Sequence, residues 1–180
     1  MKKTVVVYKS FYGSSKKYAE WLSGEIGCDM LERKEVSCER LADYDTIVLI
    51  GGLYAGGMMG IDLVTRSFDM TEGKDIVLIT CGIADVANRE NVENIRKSLE
   101  KALKEKTDKV KIFHVRGVLD YSKMNFVHRT MMKALVLSLK AKAQDKLTDE
   151  DREIIATYGK KTDFTDKEYL RAPIEYIKSL

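Results

Sequence analysis

The chain has 180 residues, 44% hydrophobic and 33% charged, with a formal net charge of +3. That length suits one domain with a sizeable core, and the composition excludes a disordered or fibrous chain. A charge so mildly basic argues neither for nor against nucleic acid; no nucleic-acid partner is expected.

One proline and 12 glycines leave little room for disordered linkers. Cys28, Cys38 and Cys81 show no C-x-x-C spacing, which fits reduced thiols in a cytoplasm better than a disulfide framework. Two N-terminal lysines precede an apolar run too short for a signal peptide. A cytoplasmic location is therefore expected.

The first strand is expected over residues 3–8, where Thr4, Val5, Val6, Val7 and Tyr8 form a run suited to burial on both faces of a sheet. Tyr18, Ala19, Leu22 and Ile26 then recur at helical spacing, predicting a helix over about 15–27. A weak strand signal at 29–35 precedes clear ones at 45–52, 75–82 and 109–117. Helical patterns lie at 61–70 and 90–105; in the latter Val92, Ile95, Leu99 and Leu103 share a face opposite lysines and glutamates. Five strands separated by helices predict the α/β class: a doubly wound parallel sheet with helices on both faces. One domain over 1–180 is expected, with a helical insertion at about 118–164 after the fifth strand.

In that insertion Met124, Val127, Met131, Leu135 and Leu139 recur at helical spacing, with Met132 alongside and Arg129, Lys133, Lys140 and Lys142 nearby. Such a face is first of all core, next a substrate lid, and third a contact with a membrane surface. The charges within residues 124–143 exclude a comfortable bilayer span. Towards the end, Thr165 with Glu168 forms a capping-box pattern, and Tyr169, Leu170, Ile174 and Ile177 are expected to pack on the sheet. Pro173 is expected to kink or break that helix.

Open parallel sheets bind ligands beyond the carboxyl ends of their strands, and three such ends carry unusual loops. After the first strand, SFYGSS (residues 10–15) gathers the hydroxyls of Ser10, Tyr12, Ser14 and Ser15 around Gly13 where a helix begins. Unpaired N–H groups at a helix N-terminus favour an anion, most naturally a phosphate. Ser14 or Ser15 acting as a plain N-cap accounts equally for this loop taken alone. No Gly-Lys-Ser/Thr closes it and it lacks G-x-G-x-x-G, so it is neither a Walker A loop nor a dinucleotide fingerprint. The third strand ends in GGLYAGGMMG (51–60) and the fourth in CGIAD (81–85). Glycines there permit positive φ and close approach of backbone to a ligand.

With these residues the chain resembles a flavodoxin-type FMN-binding domain, a family for which the strand order is 2-1-3-4-5. The resemblance implies that Ser10, Phe11, Tyr12, Gly13, Ser14 and Ser15 hold the FMN phosphate. It implies that Gly52, Leu53, Tyr54, Ala55, Gly56 and Gly57 lie along the isoalloxazine ring, and that Cys81, Gly82, Ile83 and Ala84 meet its pyrimidine edge. The segment RGVLDYSKMNFVHRTMMKAL and the C-terminal TDFTDKEYLRAPIEYIKSL are similar to one branch, the menaquinone-dependent protoporphyrinogen oxidase and its flavodoxin-domain relatives. Tyr54 is the aromatic residue of the second loop and the third loop offers none, so one ring face is either open to substrate or covered by the insertion.

The remaining candidates have plainer readings. His114, within a strand, is expected to be a hydrogen-bonded structural residue. His114 and His128 stand in different elements without ligand spacing, so no metal is expected. Asp85 and Asp120 read first as turn formers, although Asp120 and Tyr121 are also candidates for the flavin edge. The function implied is that of an FMN-dependent redox protein, in which the flavin carries the chemistry and no acid–base pair is required. Its partners would be a redox protein, or a porphyrinogen substrate with a quinone acceptor. An electron carrier without a substrate, and a non-redox binding module, are the alternatives.

Overall fold

The computed structural model describes residues 2–37, 39–54, 57–67 and 73–180. Its strands are β1 (Thr4–Lys9), β2 (Asp29–Glu32), β3 (Thr46–Tyr54), β4 (Gly57–Met58), β5 (Asp75–Gly82), β6 (Val110–Arg116), β7 (Val118–Asp120) and β8 (Lys161–Asp163). The α-helices are α1 (Ser14–Ile26), α2 (Ile61–Ser67), α3 (Arg89–Leu103), α4 (Phe126–Lys140), α5 (Asp149–Thr157) and α6 (Arg171–Ser179). The parallel strands run β2-β1-β3-β5-β6, the expected 2-1-3-4-5 order, with β4 hung antiparallel on β3.

Alternation along the strands explains why the central runs are apolar at every position. Val5, Val7, Ile47, Leu49, Ile76 and Leu78 face one core, closed by Leu63 and Val64 of α2 and Leu99 and Leu103 of α3. Val6, Tyr8, Val48, Ile50, Val77 and Ile79 face another, closed by Tyr18, Ala19 and Leu22 of α1 and Ile177 of α6. The strand register brings Lys9, Gly51 and Thr80 level, so the loops after β1, β3 and β5 emerge together at one edge.

Several expectations change. The second strand stops at Glu32, because residues Arg33–Glu35 close a 3-10 turn in a capping box with Glu32. The helix expected over 61–70 ends at Ser67 within the described residues, and residues 68–70 lie outside them. Cys38 also lies outside the described residues. Short strands β7 and β8 pair antiparallel, Val118 opposite Asp163 and Asp120 opposite Lys161, and so fasten the two ends of the inserted segment together.

The stripe predicted on the insertion holds at Met124 and Leu139, which are buried, but is one residue out of phase between them. Asn125 caps α4 by accepting the His128 N–H at 2.8 Å, and His128, Val136 and Leu139 are the buried residues of the helix. Val127 and Met131 are instead 57% and 47% exposed. The reason is that His128 belongs to the inward row, where a polar residue was not expected.

At the C-terminus Asp166, not Thr165, is the cap; its carboxylate accepts the Glu168 N–H at 3.0 Å. Thr165 instead donates to Asp163 and accepts from Lys17 Nζ. A 3-10 turn over Lys167–Leu170 leads into α6, which places Pro173 in the first helical turn. There the missing N–H has no intrahelical acceptor to lose, and the helix continues to Ser179.

Candidate functional site

Residues from all three carboxyl-end loops line one cavity of about 340 Å³, within the range of small-molecule sites. Ser10, Phe11, Tyr12, Ser14 and Ser15 come from the first loop, Gly52, Leu53 and Tyr54 from the second, and Cys81, Gly82, Ile83 and Ala84 from the third. Gly13 and Gly57 are not part of the wall, while Ala55 and Gly56 lie outside the described residues.

The loop at residues 10–15 is built by backbone geometry. Gly13 adopts φ 95°, a left-handed conformation that costs a side-chain-bearing residue strain, and its N–H donates to Ser10 Oγ at 2.9 Å. Gly13 is thus the N-cap of α1, with no side-chain cap bond, which rules out Ser14 and Ser15 as caps. They form the first helical turn instead, where their own N–H groups have no intrahelical acceptor. That turn holds no acidic residue and contains Lys16 and Lys17. Such a helix end lacks the negative charge that usually complements its dipole.

The serine hydroxyls do more than crowd the loop. Ser14 Oγ accepts the Val118 N–H at 2.8 Å, tying the first loop to the strand crossing that begins the insertion. Ser14 and Ser15 also act on the Cys81 thiol, whose ionised form their hydroxyls favour. Burial pushes that thiol up to about 12, and the two serines offset only part of the shift. Cys81 is therefore a neutral wall residue at physiological pH, not a nucleophile.

In the second loop Gly60 takes a positive φ of 83°, as expected, whereas Gly51 serves another purpose. A Cβ on Gly51 would stand 2.2 Å from the Met59 carbonyl oxygen. Absence of a side chain there lets the β4 return close on β3. Tyr54, at the end of β3, packs against His128 with ring centroids 4.1 Å apart and a 36° interplanar angle. Tyr12 Oη is hydrogen-bonded to His128 Nδ1, and Phe11 meets both Tyr54 and His128 edge-on.

His128, Met124, Met131 and Met132 bring the insertion over the cavity as part of its wall. Met124, Met131 and Met132 stand on the face whose second reading is a substrate lid, whereas His128, with Met59, Ile95, Gly117, Val118 and Leu119, was not expected in the site. Spacing of four residues from Met124 through His128 to Met132 was the available signal. Conversely, Asp120 accepts from both the N–H and the hydroxyl of Ser122, Tyr121 packs with Leu119 and Met124, and neither Asp120 nor Tyr121 lines the cavity. Asp85 accepts the Ala87 N–H as a turn former. His114 Nδ1 lies 2.7 Å from Thr80 Oγ1 between neighbouring strands, the structural placement expected for it.

The cavity wall contains no Asp, Glu, Lys or Arg among the described residues. Burial raises the Tyr12 phenol above its ordinary value. His128 is the imidazole in this wall.

A parallel sheet whose carboxyl-end loops meet at one cavity, with β1 and β3 leading to opposite faces, defines a doubly wound α/β fold, the arrangement flavodoxin itself exemplifies. The chain belongs to the flavodoxin domain family, whose model matches residues 5–146. It is similar to oxidised flavodoxin 2 from Bacillus cereus at 17% identity, covering 63% of this chain and 84% of that one with a TM-score of 0.47. It is also similar to a flavodoxin from the domain Archaea, at 15% identity, 67% and 87% coverage and a TM-score of 0.43. A Fusobacterium nucleatum flavodoxin bound to flavin mononucleotide matches at 12% identity, 67% and 72% coverage and a TM-score of 0.42. Among curated proteins, none matches.

Proposed function

We propose that the chain binds FMN in this cavity and works as an FMN-dependent redox protein. The observation that carries the reading is the convergence of three carboxyl-end loops on one apolar cavity beside a helix N-terminus free of acidic residues. The residues present fit the group. An uncharged wall suits a flat heteroaromatic ring, and the amides of the Gly13 turn suit a phosphate. Ser10, Gly13, Ser14 and Ser15 would hold the phosphate end, while Gly52, Leu53, Tyr54 and the third loop from Cys81 to Ala84 would hold the ring end. Bound there, FMN supplies one- and two-electron transfer.

The chain's own contribution is positioning and water exclusion. α4 covers the cavity with Met131 and Met132, and the His128 imidazole is held in place through Nδ1 by Tyr12. In the finer reading the protein oxidises a porphyrinogen, removing two electrons and two protons at a time and passing them to a quinone. Supporting it are the similarity of the insertion to that branch and a methionine-lined roof able to adapt to a large apolar substrate.

The purified protein is expected to be yellow, and cofactor released by denaturation is expected to run as FMN on chromatography. A colourless protein that takes up no FMN on incubation would contradict the reading. Bleaching of the bound flavin by a porphyrinogen without a protein partner separates the oxidase from an electron carrier.

A further inference from the structure

The outer face of α4 carries large apolar side chains that no other part of the described chain covers. Phe126 is 84% exposed, Leu137 59% and Val127 57%. With about 3.6 residues per turn, these fall on the arc opposite the buried His128, Val136 and Leu139, together with the exposed Ala134. No charged residue interrupts that arc, and Arg129, Lys133 and Lys140 run along its border. Residues 121–143 contain five basic side chains, Lys123, Arg129, Lys133, Lys140 and Lys142, and no Asp or Glu. Lys142 pairs with Asp151 of α5 at 3.0 Å, but among the described residues Lys133 and Lys140 have no ion pair.

We propose that this face docks on the surface of an anionic lipid bilayer. An apolar stripe bordered by cations is the pattern of a helix lying in the interfacial plane, apolar side chains in the acyl boundary and cations among the phosphates. α4 is about 22 Å long by its 15 residues, too short to cross a hydrocarbon core of about 30 Å. No helix among the described residues is long and apolar enough to do so. A second copy docked on the same face would bring the same cations and no carboxylate from this segment, whereas a bilayer brings the complementary charge. The inner face of the same helix lines the cavity through His128, Met131 and Met132. Docking therefore sets the cavity beside the membrane, where a lipid-soluble reaction partner is concentrated. That consequence rests on the redox reading above; the docking does not.

The test is co-sedimentation of the full chain with vesicles of phosphatidylcholine alone, or of phosphatidylcholine with one third phosphatidylglycerol, at low and high salt. Binding to the anionic vesicles is expected, with little to the neutral ones and release at high salt. Phe126→Ser with Leu137→Ser, and separately Lys133→Gln with Lys140→Gln, are each expected to weaken binding on the order of tenfold. All four positions are solvent-exposed, so thermal unfolding and cavity binding should stay as in the parent. No binding to anionic vesicles, or undiminished binding by the apolar double variant, would overturn the proposal. So would a dimer that the apolar variant dissolves in a protein that ignores lipid, which would assign the face to a second copy.

Discussion

Ser14 joins two distant parts of the chain through one oxygen, accepting the Val118 N–H across 104 positions of sequence. Ser14→Ala leaves that part-buried N–H without its acceptor, an expected cost of about 1–3 kcal/mol. Ser15→Ala removes only a hydroxyl–thiol contact and should cost less. Urea unfolding of the two variants checks this: the midpoint should fall further for Ser14→Ala, with an unchanged slope, and equal midpoints would show that the Val118 bond holds nothing. At this scale the sequence was legible where a residue's type already limits its use. The loop around Gly13 could be read because glycine, hydroxyls and a helix start coincide. Gly51 was noticed for the wrong reason, since what excludes a Cβ there is the Met59 carbonyl brought in by β4. His128 carried only the four-residue spacing from Met124 to Met132 as a signal, and it is the fold that brings α4 over Tyr54.

Among the elements, β5 and β6 are cross-linked by His114 and Thr80, and the burial of that imidazole makes stability depend on pH. Burial, and then Arg96, push the His114 imidazole below its ordinary value. The folded protein therefore keeps this ring neutral to lower pH than the unfolded chain does. Between the two values the unfolded chain binds more protons, so stability rises with pH. The contribution is complete above about 6.5 and is lost as pH falls through the folded-state value. Urea midpoints followed from neutral pH downwards should decline, and His114→Asn should flatten that decline. An equally steep decline in the variant would place its origin elsewhere. The central strands were legible because burial on both faces makes every position apolar. Strands β7 and β8 were not, since three residues show no period and they exist only by pairing with each other. α5 escaped notice, although Thr148 and Asp151 form a capping box at its start.

For the whole molecule, the family model ends at residue 146, yet the chain beyond it completes the structure. Leu170 and Ile177 enter the second core, and Phe164 N–H donates to Gly117 O at 3.1 Å beside the crossing that Ser14 holds. The sheet, the insertion and the C-terminal helix thus support one cavity wall. Its proposed occupant has two separable parts, a ring for the apolar wall and a phosphate for the N-terminus of α1. Titration of flavin-free protein with FMN and with riboflavin, followed by flavin fluorescence, tests both parts at once. Saturable FMN binding at micromolar concentration or below is expected, with riboflavin weaker by at least about tenfold, since a charge-assisted hydrogen bond contributes roughly 1.5–3 kcal/mol. No saturation by FMN would contradict the central claim, and equal affinity for riboflavin would contradict the assignment of the phosphate to residues 10–15.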